Sequence, residues 1–103
     1  MVITILLANE PRAYREAIAV AVRALRPQAT VMVTDPDDVD EHVLKYSPQV
    51  VVCSQITETI DSNVPNWAVI YPDGADGAVL RIGGQHKSVG EIDLESFIAL
   101  LID

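Results

Sequence analysis

The stretch Val2-Ile3-Thr4-Ile5-Leu6-Leu7-Ala8-Asn9-Glu10-Pro11 sets an almost unbroken β-branched and aliphatic run directly before a helix-start signal. A strand covered on both faces reads as continuously apolar rather than alternating, so this run predicts a central strand of a parallel sheet. Asn9-Glu10-Pro11 then supplies a cap, an acid at the positive end of the helix dipole, and a proline in the first turn, where no N–H partner is needed. The helix extends to about Arg26, because Pro27 cannot continue it. At about 100° per residue it is amphipathic. Tyr14, Ile18, Ala21 and Leu25 share an apolar face, and Arg12, Arg15, Arg23 and Arg26 fall within an arc of about 80° as a stripe on the other side.

Moving outward, residues 29–34 read as a short strand, and Asp35-Pro36-Asp37-Asp38 opens a second helix with a cap, a first-turn proline and N-terminal acids. Val39, Val43 and Tyr46 mark its buried side, and Pro48 stops it. Val50-Val51-Val52-Cys53-Ser54 is a second wholly apolar strand. Two strand-helix-strand units therefore occupy the first half. Right-handed crossovers place the third strand on the opposite side of the first from the second, so the sheet order begins 2-1-3. The ligand crevice of such a sheet lies at the carboxyl ends of its strands.

After Ser54 only about a dozen residues precede Trp67, too few for a long crossover helix with its loops. One short helical turn is expected over 57–61. Residues 67–71 and 78–82 form a hairpin around the turn-rich Pro72-Asp73-Gly74-Ala75-Asp76-Gly77. Residues 83–90 read as a polar loop. Asp93 caps a final helix whose Leu94, Phe97, Ile98 and Leu101 face inward, with Leu100 and Ile102 off that stripe. The expected fold class is α/β, a three-layer doubly wound sheet with a C-terminal hairpin and a last helix.

Composition bounds the role. The chain has 103 residues, 50% of them hydrophobic and 5% aromatic, with 15 acidic against 7 basic side chains and a net charge of −8. That is the size of one domain, residues 1–103, with a core built from Val, Ile, Leu and Ala. The acidity argues against nucleic acid, whose phosphates call for a basic footprint. Residues 2–8 are too short to span a membrane and lack the flanks of a signal peptide, so a cytoplasmic location is expected, with no membrane partner. The single cysteine permits no internal disulfide.

The first half resembles the receiver domain of two-component response regulators. Ile5-Leu6-Leu7-Ala8-Asn9-Glu10-Pro11 stands where the family carries a hydrophobic strand ending in an Asp-Asp-Glu-Pro type motif, and Pro48-Gln49-Val50-Val51-Val52-Cys53-Ser54 where it carries Pro-Asp, a hydrophobic run and the phosphoacceptor Asp. The resemblance covers residues 1–55 and implies a flavodoxin-like, receiver-like fold. It also implies that the chemistry is gone. The family's acidic pair holds a divalent cation and its third-strand Asp takes the phosphoryl group; Ala8, Asn9 and Ser54 are degenerate versions of those positions. Tyr71-Pro72 stands where a Ser/Thr is expected, and no Lys-Pro follows Val79-Leu80-Arg81-Ile82.

Other candidates are weaker. Cys53 reads as a small core hydrophobe, and His42 and His86 stand at no metal-ligand spacing, so neither a metal nor any other cofactor is expected. Asp73 to Gly77 lacks the alternating oxygens of a calcium loop, and Gly83-Gly84 lacks the spacing of a phosphate loop. Charge is divided: residues 1–26 carry four positive and two negative side chains, and residues 27–103 carry three and thirteen. Two functions follow. One is a non-enzymatic, phosphorylation-independent signalling or protein-interaction domain that docks a protein, a second copy included, through Arg12, Arg15, Arg23 and Arg26. The other is a small-molecule binder or small enzyme using the crevice of Asn9, Glu10, Ser54 and Gln55 at the ends of the first and third strands.

Overall fold

The apolar run at 2–8 becomes β1 (Thr4–Ala8), the centre of the sheet, whose residues alternate between two cores. The computed structural model describes residues 3–70, 77–90 and 93–102. In chain order, β1 is followed by α1 (Arg12–Leu25), β2 (Thr30–Val33), a 3-10 turn (Pro36–Asp38), α2 (Val39–Tyr46) and β3 (Val50–Cys53). Then come α3 (Glu58–Asn63), β4 (Asn66–Ile70), β5 (Ala78–Ile82), β6 (Gln85–Val89) and α4 (Leu94–Ile102). The six strands form one mixed sheet in the order β2-β1-β3-β4-β5-β6. Its first four strands are parallel, and β5 and β6 are added antiparallel. This is an α/β fold whose order begins 2-1-3, as right-handed crossovers require.

Each face of the sheet carries its own core. Ile5 and Leu7 join Ile18, Ala19 and Val22 of α1 and Phe97, Ile98 and Leu101 of α4. Leu6 and Ala8 join Val39 and Val43 of α2 and Ile60 and Val64 around α3. The short spacer after β3 suffices for a parallel β4 because α3 is only 6 residues long. Thr57 starts it, accepting the Ile60 N–H at 3.1 Å and donating to Asp40 Oδ1 at 2.6 Å, which ties α3 to α2.

The expected polar loop at 83–90 is instead a turn and a strand. Gly83 and Gly84 have φ of 58° and 83°, the positive values a two-residue hairpin turn needs, and Ile82 pairs with Gln85 across them. Gln85-His86-Lys87-Ser88 is polar because β6 is a solvent-facing edge strand, and edges are protected by such residues. The turn read at 72–76 lies outside the described residues, although β4 and β5 pair antiparallel as expected. Leu100 and Ile102 pack partly buried against the first core.

The largest departure from the sequence reading is the rotation of α1. Its buried residues are Arg15, Ile18, Ala19 and Val22, an arc displaced by about 80° from the apolar face of Tyr14, Ile18, Ala21 and Leu25. Tyr14 is 52% exposed and Val20 66%. The solvent side of α1 is therefore an unbroken apolar arc of Ala13, Tyr14, Ala17, Val20, Ala21, Ala24 and Leu25, of which all but the half-buried Ala21 are exposed, spanning about 140°.

Replacing Ile98 by Ala, which opens a cavity under α4, is expected to cost about 2–5 kcal/mol in urea-unfolding free energy with an unchanged fold by circular dichroism. A loss below 1 kcal/mol, on the order of a surface change, would contradict the docking of α4 into the first core.

Candidate functional site

The carboxyl ends of β1, β2 and β3 bring together most of the residues singled out in the sequence. Ala8 is buried in the second core. Asn9 is fully buried, and neither Nδ2 nor Oδ1 of its amide has a hydrogen-bond partner among the described residues. Glu10 and Gln55 are exposed. Ser54 Oγ accepts the Glu10 N–H at 2.7 Å, and its hydroxyl lies 3.4 Å from the Glu10 carbonyl. Ser54 thus fastens the β1–α1 connection to the end of β3, and its oxygen is engaged with backbone.

An open cleft lies between the ends of β1 and β2. It measures about 390 Å³ and is lined by Glu10, Arg15, Asp35, Pro36, Asp37 and Asp38. Arg15 forms its floor. One guanidinium nitrogen donates to the Thr34 carbonyl and, at 3.1 Å, to Asp35 Oδ1. The Arg15 side chain is 5% exposed and that of Asp35 73%, so the pair joins an interior cation to a solvated anion. His42 stands behind it, with Nδ1 2.9 Å from the Asp38 carbonyl and 3.3 Å from Thr34 Oγ1. The carbonyl contact requires the proton on Nδ1.

The arginine stripe is consequently not one open face. Arg15 faces the interior. Arg12 pairs with Glu16 at 3.0 Å on the surface. Arg23 reaches the Val31 carbonyl at 3.5 Å. Thr30 and Thr34 turn their N–H groups to β1, so the intervening Val31 and Val33 point theirs to the unpaired edge of β2, where Arg23 occupies one acceptor. Arg26 Nη1 lies 2.9 Å from the Leu25 carbonyl. Sequence reasoning missed this division because a helical wheel gives relative angles without fixing which angle points inward. Nor did it place Asp35 to Asp38 in a cleft, although a run of acids just after β2 is placed by the topology beside the β1–α1 connection.

Cys53 donates weakly to the Ala68 carbonyl at 3.5 Å, and burial pushes its thiol from the ordinary 9.0 up to about 12. His86 lies on β6 against Trp67, ring centroids 5.6 Å apart. Among the described residues no group of three or more His, Cys, Asp or Glu side chains is placed to hold a metal ion, and no helix is long and apolar enough to cross a membrane. The chain matches no family model, and neither a curated protein nor a solved structure matches it significantly.

Arg15→Ala, which strips the buried Thr34 carbonyl of its donor, is expected to cost about 1–3 kcal/mol. Arg12→Ala, which breaks an exposed pair, should cost less than about 0.5 kcal/mol. Equal losses in denaturant titrations would contradict the inward placement of Arg15. For Cys53 the folded value lies above the unfolded one, so its contribution is intact below pH 9.0 and is lost as pH rises toward about 12. Stability should fall by up to about 1.4 kcal/mol per pH unit there, and Cys53→Ala should flatten that slope.

Proposed function

We propose that this chain is a receiver-like, flavodoxin-like domain that acts by binding protein, without phosphorylation and without catalysis. The carboxyl edge supports the non-catalytic half of the reading. Of the positions where the resemblance expects carboxylates, Ala8 offers a methyl group, Asn9 a buried neutral amide, and Ser54 a hydroxyl engaged with the Glu10 backbone. A hard divalent cation prefers several anionic oxygens. A serine hydroxyl is a poor acceptor of a phosphoryl group unless a base activates it.

The observation that carries the binding half is the outward arc of α1. A surface helix ordinarily points charge at solvent and its apolar stripe at the core. Here the solvent side holds Ala13, Tyr14, Ala17, Val20, Ala24 and Leu25, and a contiguous apolar patch of this kind marks a protein contact. Arg12 and Arg23 remain beside the patch, as a polar rim does in protein interfaces.

Incubation with magnesium and a small acyl-phosphate donor should yield no phosphoprotein, and nucleotides or sugar phosphates should leave the melting temperature unchanged. Stoichiometric phosphorylation, or a saturable shift with one of those ligands, would overturn the reading.

A further inference from the structure

We infer that the outward face of α1 is covered by a second copy of this chain, α1 against α1 with the helices antiparallel about a two-fold axis. The inference rests on the protein-binding reading above and names its partner.

The seam is Ala13, Ala17, Val20 and Ala24, spaced by four, three and four residues, the alternation that keeps one line of side chains facing a partner helix. All four are exposed. Three are alanines, which lets two helix axes approach toward the short end of the 8–10 Å range, about 8 Å. An antiparallel pairing that sets Ala13 opposite Ala24 also sets Val20 opposite Ala17, so the one large seam residue meets a small one at both symmetry-related contacts.

Charge selects the orientation. One flank of the seam carries Glu16 and Arg23, seven residues apart and so at the same position of the repeat, and the other carries Tyr14 and Ala21. In an antiparallel pair each flank meets its own counterpart. Glu16 then faces Arg23 of the second copy and Arg23 faces its Glu16, while Tyr14 meets Ala21. A parallel pair would lay the charged flank on the apolar one. Glu16 already lies 3.0 Å from Arg12 within its own chain, so in the dimer each Glu16 is shared by two arginines, one from each copy. A self-complementary patch of this sort is what a closed two-fold dimer requires.

The arc from Ala13 to Leu25 is about 18 Å long, and one helix face buries less than the roughly 800 Å² per partner of a standard interface. The dimer is therefore reversible and weaker than nanomolar. Sedimentation equilibrium over rising protein concentration should show a shift from monomer to dimer mass. Val20→Glu should match the melting temperature of the wild type at concentrations where the wild type is monomeric, because Val20 is 66% exposed in the monomer, and should abolish the shift. Glu16→Arg or Arg23→Glu alone should weaken association roughly tenfold through two lost pairs and new repulsions, and the double variant should restore it. A wild type that stays monomeric, a dimer that survives Val20→Glu, or a double variant no tighter than the single ones would overturn the inference. A monomeric wild type leaves the phosphodonor and ligand results untouched, so failure here is distinguishable from failure of the protein-binding reading.

Discussion

The rotation of α1 about its own axis governs what the rest of the surface offers, and the contact of Arg15 with the end of β2 fixes that rotation. The helix has two apolar arcs that share Ile18, and either could be turned to the sheet by hydrophobic burial alone. Drawing the Arg15 guanidinium under the β1–α1 connection to the Thr34 carbonyl and Asp35 selects the arc of Ile18, Ala19 and Val22. An arginine in an interior position is stable only when its head group is hydrogen-bonded. The same contact carries Arg23 toward the β2 edge and leaves the alanine-rich side of the helix facing water.

The carboxyl edge follows the same logic. In a doubly wound sheet this edge is where ligands bind, because strand ends and helix N-termini converge there. Here its polar groups are largely directed at one another: Ser54 to the Glu10 backbone, Arg15 to Thr34 and Asp35, His42 to the Asp38 carbonyl. What remains in the cleft is a set of acids around one arginine. The edge holds the β1–α1 and β2–α2 connections in place, and a contiguous exposed apolar arc lies on the helix beside it.

The legible part of the fold was the part governed by burial on two faces. The apolar runs at β1 and β3 and the prolines that stop α1 and α2 mark out the first half, and right-handed crossovers set its 2-1-3 order; the acids read as caps there make no side-chain capping bond. Gln85 to Val89 was illegible as a strand because an edge strand facing solvent has no core side to pattern, and its signal was confined to Gly83-Gly84. The positions of Asn9, Glu10 and Ser54 at one edge follow from topology. The inward arginine did not, since a buried guanidinium depends on a carbonyl nineteen residues away, and no local pattern encodes that.

The dimer inferred above puts the contact between copies on the solvent side of α1 and not at the strand ends. Amide chemical shifts followed as the protein is concentrated test it most directly. Progressive shifts are expected at Ala13, Ala17, Val20 and Ala24 with Glu10, Asp35 and Ser54 unmoved; shifts confined to those strand-end residues, or none at any concentration, would contradict that placement.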